Sequence, residues 1–138
     1  MLKIVIDANI IVSALITEGF SSKIITDLVL NKKVLLCISE AVFDEYVDVL
    51  NRPKFSVYSE FQSRANFVLN AINNVALKFF PDIKIDLISD ESDNKFLELA
   101  IFAKIDYLIT GNTNDFIETC YENIKIVTPR EFCENIII

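Results

Sequence analysis

The chain contains no histidine, and only two glycines, three prolines and three cysteines. Each scarcity removes a class of chemistry. Without histidine there is no Ser-His-Asp or Cys-His nucleophile system, and no histidine-held zinc or non-haem iron. With Gly19 and Gly111 alone, neither a P-loop nor a dinucleotide fingerprint can be assembled, because both set several glycines where backbone meets phosphate. Cys37, Cys120 and Cys133 are odd in number and widely spaced. They fit neither a zinc pattern nor a disulfide framework, and they agree with a reducing compartment. Cys37, inside an apolar run, reads as a small core residue. No apolar run reaches the length of a membrane span, and Lys3 and Asp7 interrupt the first one. That run also lacks the basic start and small-residue cleavage site of a signal peptide, so the expected location is the cytoplasm. What remains for catalysis is carboxylates, hydroxyls and amines, and carboxylates with Mg2+ or Mn2+ lead by elimination.

Against these absences, the 138 residues are 52% hydrophobic, enough for one domain spanning 1–138 with its own core. Thirteen basic residues face twenty acidic ones, a net charge of −7. Such a balance argues against tight, passive binding of nucleic acid, which depends on neutralising phosphates. It is compatible with a basic protein partner, or with a nucleic-acid substrate drawn in through bound divalent metal.

Hydrophobic periodicity alternates between strand-like and helix-like. Residues 2–6 read as a strand, and 8–15 and 21–31 as helices separated by a turn at Glu18-Gly19. Residues 34–38 form a second strand, after which Ser39 caps a helix running to about Asn51, with Pro53 shortly beyond it. Phe61, Ala65, Val68, Leu69 and Ile72 give 57–75 helical spacing, and 75–80 is a short strand. Asp93 opens a helix containing Phe96, Leu97, Ala100 and Ile101. Residues 107–110 and 124–127 are further strands, and Pro129 begins a last helix. Continuous apolar strands alternating with helices predict an α/β fold, a parallel sheet sandwiched between helices.

Asp7 ends the first β-branched run, in the string IVIDANIIVSAL. A strand of that kind delivers its terminal carboxylate to the edge where open α/β sheets bind ligands. The carboxylate is a metal ligand, an acid–base group or a nucleophile there; alternatively it simply caps the helix that starts at Ala8. Three other regions bear on the choice. On the helix after Ser39, the apolar stripe is Val42, Phe43, Tyr46, Val49 and Leu50. Asp44 and Asp48 point away from that stripe, whereas Glu45 stands at its border and can reach a pocket. The run Ser89-Asp90-Glu91-Ser92-Asp93 is denser in acid than helix capping requires, and Asp93 is nearest the helix body. After the strand 107–110, the loop Gly111-Asn112-Thr113-Asn114-Asp115-Phe116 brings Thr110, Asn112 and Asp115 to the same edge as Asp7 in a parallel sheet. Asp106 precedes that strand and belongs at the opposite edge.

Clustered, Asp7, Glu45, Asp93 and Asp115 would repel one another unless a metal neutralised them. A carboxylate pocket holding Mg2+ or Mn2+ suits attack on a phosphodiester by metal-activated water. In that scheme Asp7 and Asp93 are direct ligands, and Glu45 and Asp115 act through a second metal or through water. Asn9 and Thr110 orient groups by hydrogen bonding, with Asp90 and Asn112 as supporting neighbours.

With these residues in place, the chain resembles the PIN-domain ribonucleases, in particular the PIN toxins of toxin–antitoxin systems. The resemblance runs from IVIDANIIVSAL through SEAVFDEYVDVLNRPKF and SDESDNKFLELAIFAKIDYLITGN to NTNDF and TPREF. It puts the family's strand-end acid on Asp7, its helix-borne acid on Glu45 and its helix-opening acid on Asp93. At the last acidic position this chain departs from the family's T-G-D string, reading Thr110-Gly111-Asn112, and matches the alternative N-x-x-D-F form with Asp115. The resemblance implies a three-layer α/β/α sandwich with a five-stranded parallel sheet and metal-dependent endonucleolytic cleavage of RNA. It further implies a small basic antitoxin as cognate inhibitor, and a homodimer. Two other readings stand beside it. One is a phosphatase resembling the haloacid dehalogenases, with Asp7 as nucleophile, although Asn9 occupies the position where that family has a second acid. The other is a PIN scaffold that has lost turnover and acts as a protein-binding module.

Overall fold

A computed structural model describes residues 1–82, 91–111 and 124–137, with side chains from Asn94 onward in the middle stretch. Strand β1 (Lys3–Ile6) leads into helix α1 (Ala8–Ile16), then α2 (Phe20–Lys23), which continues as a π-helical stretch, Ile24–Val29. Strand β2 (Leu35–Ser39) is followed by α3 (Glu40–Leu50), a 3-10 turn at Pro53–Val57, α4 (Phe61–Val75) and strand β3 (Leu77–Phe79). Then come α5 (Glu91–Ala103), β4 (Tyr107–Ile109), β5 (Lys125–Val127) and α6 (Pro129–Glu131), the last prolonged by a π-helical Phe132–Ile136.

The five strands are all parallel, in the order β3-β2-β1-β4-β5. Ile4, Val5 and Ile6 are each 0% exposed, as expected for a central strand covered on both faces. The chain steps from β1 through β2 to β3 in one direction, then crosses back to β4 and β5. Since parallel crossovers are right-handed, the reversal sends the connection through α5 to the face opposite the β1-to-β2 connection, while α3 reaches α5 through the Tyr46–Phe96 and Glu45–Lys95 contacts. The result is the expected three-layer α/β/α sandwich. The reversal of direction puts the topological switch point between β1 and β4, at the sheet's C-terminal edge.

Register aligns that edge. Ile6 pairs with Ile109, and Ile109 with Val127. Asp7 N–H donates to the Ile109 carbonyl and Thr110 N–H to the Val127 carbonyl, both at 3.0 Å. At the other edge, Asp106 Oδ2 accepts from Lys3 N at 2.9 Å, which is where the sequence pattern puts it.

Some boundaries differ from the sequence expectation, each for a local reason. The helix expected over 57–75 starts at Phe61, because Pro53 opens a separate 3-10 turn and Glu60 takes a left-handed φ of 59°. The helix expected over 21–31 winds as π after one α turn, which keeps Ile24, Ile25, Leu28 and Val29 all buried. The strand expected over 75–80 is only Leu77–Phe79, since Val75 is still the last residue of α4. Helix α5 begins at Glu91, so Asp93 stands in its first turn. Among the described residues, no single helix is long and apolar enough to cross a membrane.

Candidate active site at the sheet switch point

Asp7 caps a helix, as one of its readings has it, and its carboxylate makes a second contact besides. Its backbone is extended and its Oδ1 accepts from Asn9 N at 3.4 Å, so it is the N-cap of α1. Its other oxygen, Oδ2, accepts a 2.9 Å hydrogen bond from Thr110 Oγ1. Thr110 is fully buried, directly beyond the end of β4. A cap alone needs one carboxylate oxygen; the second is held across the switch-point crevice by a neighbouring strand. Asn9 serves through its backbone N–H, and the residue itself is exposed.

Helix α3 is anchored to the same edge. Ser39, the last residue of β2, turns into the helix and its Oγ accepts from Val42 N at 3.1 Å, so strand end and helix start are joined without a loop. About two turns after Ser39, Tyr46, 0% exposed, donates its phenol hydrogen to the Ile6 carbonyl at 2.7 Å. Burial pushes this phenol well above its ordinary range, and the charge on Asp7 adds to the push. Tyr46 therefore stays a neutral donor and ties α3 to the residue preceding Asp7. Periodicity identifies Tyr46 as a core residue, but nothing in the sequence reveals where its hydroxyl goes.

Glu45 stands at the border of the buried stripe, as its helical position predicts, while Asp44 and Asp48 are exposed. Its side chain is 16% exposed and its Oε1 accepts from Lys95 Nζ at 2.8 Å. Lys95 lies on α5, fifty residues along the chain, and next to Phe96, whose ring is 6.3 Å from that of Tyr46. This cation has no signal in the local sequence. Its only trace is that a half-buried Glu45 requires a partner.

Asp93 belongs to the first turn of α5, two residues before Lys95. Asp90, Asn112 and Asp115 lie outside the described residues, as does Cys120. Cys37 and Cys133 are free and buried. Burial raises the Cys37 thiol to about 11 and also raises Cys133, and both are core residues, as the apolar run around Cys37 suggests. Among the described residues no three acid or thiol side chains form a metal-binding group. Asp7 and Thr110 at the switch point, and Glu45 on α3, offer hard oxygen donors. They fit Mg2+ or Mn2+ and would not hold a soft metal.

A family model for the PIN domain matches residues 3–114; the chain belongs to the PIN-domain family. Among its relatives is an uncharacterized protein of Methanocaldococcus jannaschii, 30% identical, in an alignment covering 96% of this chain and 90% of the relative. VapBC2 from Rickettsia felis, solved bound to a DNA fragment from its promoter, shares the fold. Its TM-score is 0.61 at 17% identity, over 92% of this chain and 98% of that one. FitAB, solved bound to an IR36 DNA fragment, aligns with a TM-score of 0.55 at 18% identity, over 91% and 94% of the two chains.

Proposed function

We propose that this single-domain protein is a Mg2+- or Mn2+-dependent endoribonuclease, the toxin of a toxin–antitoxin pair. The observation that carries the reading is the Asp7 carboxylate, placed at the switch point of a PIN sheet and held by Thr110 from the adjacent strand. Asp7 and Asp93 would hold the metal directly, with Glu45 and Asp115 engaging a second ion or a water. When bound, a divalent cation supplies charge stabilisation to a phosphodiester undergoing hydrolysis. The chain's own residues do the rest. Thr110 and the Asn9 amide orient the two oxygens of Asp7, and Tyr46 fixes the end of β1 so that this carboxylate cannot drift.

The net charge of −7 suits a small basic antitoxin, and the two fold relatives VapBC2 and FitAB are DNA-bound complexes, which supports a protein partner here. RNA is the proposed substrate, the cytoplasm the proposed location, and a homodimer the proposed assembly. Incubating the purified chain with single-stranded RNA and Mn2+ should give internal cleavage that EDTA abolishes. RNA left intact under Mn2+, by a chain that binds the ion, would instead favour the non-enzymatic binding module. The phosphatase reading loses its footing with PIN-family membership, and Asn9 leaves it without its second acid.

A further inference from the structure

In the proposed site, acids from the end of β1, α3 and α5 serve one metal centre, and in the metal-free protein their charges need another counterion. Without a metal ion, clustered acids raise one another's ionisation cost. Lys95 supplies a cation here, in an unusual setting. Of the three ion pairs among the described residues, Arg52–Asp48 and Arg130–Glu134 are exposed neighbours one helical turn apart. Lys95–Glu45 is the exception: it joins two helices, at 2.8 Å, with side chains only 26% and 16% exposed.

Lys95 also lines a cavity of about 380 Å3 beside the pair, together with Glu40, Asp44 and Glu98. It is the one cation in the described lining of that cavity, which also holds three carboxylates. A flexible four-carbon stem lets the ammonium pivot between these positions, which a rigid guanidinium fork would resist. A divalent ion drawing on Glu45 cannot share that carboxylate with an ammonium at hydrogen-bond distance without strong repulsion.

We infer that Lys95 is a displaceable internal cation, which neutralises Glu45 in the metal-free protein and moves toward the acid-lined cavity when a divalent ion binds. The inference rests on the metal-dependent reading of the site. It makes Lys95 a competitor of the metal, and so a positioning residue that sets metal affinity.

The test is calorimetric titration of Mn2+ into the wild-type chain, Lys95→Met, Lys95→Gln, Glu45→Gln and the Glu45→Gln/Lys95→Met double variant, with folding checked by circular dichroism. Removing the ammonium should tighten Mn2+ binding by about five- to tenfold, in the range of ordinary coupling between linked sites. In the Glu45→Gln background the same removal should change nothing. Equal or weaker binding by both folded Lys95 variants, beside a wild type that binds, overturns this inference and leaves the metal reading standing. No binding by any of the chains overturns both.

Discussion

Thr110 Oγ1 donates a 2.9 Å hydrogen bond to Asp7 Oδ2 across the boundary between β1 and β4. The two residues are 103 positions apart in sequence and meet only because the chain reverses its direction of travel through the sheet there. A buried hydroxyl bonded to a carboxylate contributes more than a neutral pair does. Thr110→Val, of nearly equal volume, should therefore lower stability by about 2 kcal/mol, read as a drop in the urea midpoint at unchanged slope. Thr110→Ser should recover most of the loss, since it keeps the donor.

Much of this arrangement is legible in the sequence. The run IVI ending at Asp7 announces a central parallel strand with an acid at the ligand-binding edge, and every residue of it is buried. Ser39 as a cap, the opposite placement of Asp106 and the border position of Glu45 follow likewise from local pattern. These features depend on residues close in sequence or on the two periodicities. The Tyr46 bond to Ile6 and the Lys95 pair with Glu45 span 40 and 50 positions, and no periodicity encodes a partner at that distance. The π-helical winding of Ile24–Val29 escapes too, because its buried residues Ile24, Ile25, Leu28 and Val29 fit an ordinary helical period equally well.

The shortage of glycine has a cost that can be measured. Lys32 and Lys104 adopt φ of 58° and 54°, and each stands where a helix closes. After Lys104, Ile105 N–H returns to the Ala100 carbonyl at 3.2 Å, the closing bond of a Schellman turn. Glycine is the usual residue in that conformation because a Cβ is strained there. Lys104→Gly should raise stability by about 0.5–1 kcal/mol, measured by thermal or urea unfolding. Lys104→Ala, which retains the Cβ, should not.

Alkaline pH should reveal the buried Cys37 thiol. Burial raises its pKa from 9.0 to about 11, the Lys3 ammonium opposing and Asp106 adding slightly to the rise. Above pH 9 the unfolded chain releases a proton that the folded chain still holds, so the unfolded state binds fewer protons and stability falls with rising pH. The contribution is complete below pH 9 and is lost as pH climbs from 9 through about 11. Cys37→Ala should show a shallower decline over that window in urea midpoints taken at successive pH values. In the native chain Cys37 should resist thiol reagents at neutral pH.

The most direct test of the whole account is RNA cleavage by Asp7→Asn in the presence of Mn2+. Asparagine caps helices as well as aspartate does, but it has one acceptor oxygen where Asp7 uses two, so with the cap kept its NH2 faces Thr110, whose hydroxyl can turn to accept; the variant should fold with a loss of about 1–2 kcal/mol. What it loses is the negative charge that a metal requires. A metal-ligand role for Asp7 predicts that cleavage falls by about a hundredfold or more while the circular dichroism spectrum holds. Undiminished cleavage by the folded variant would contradict it.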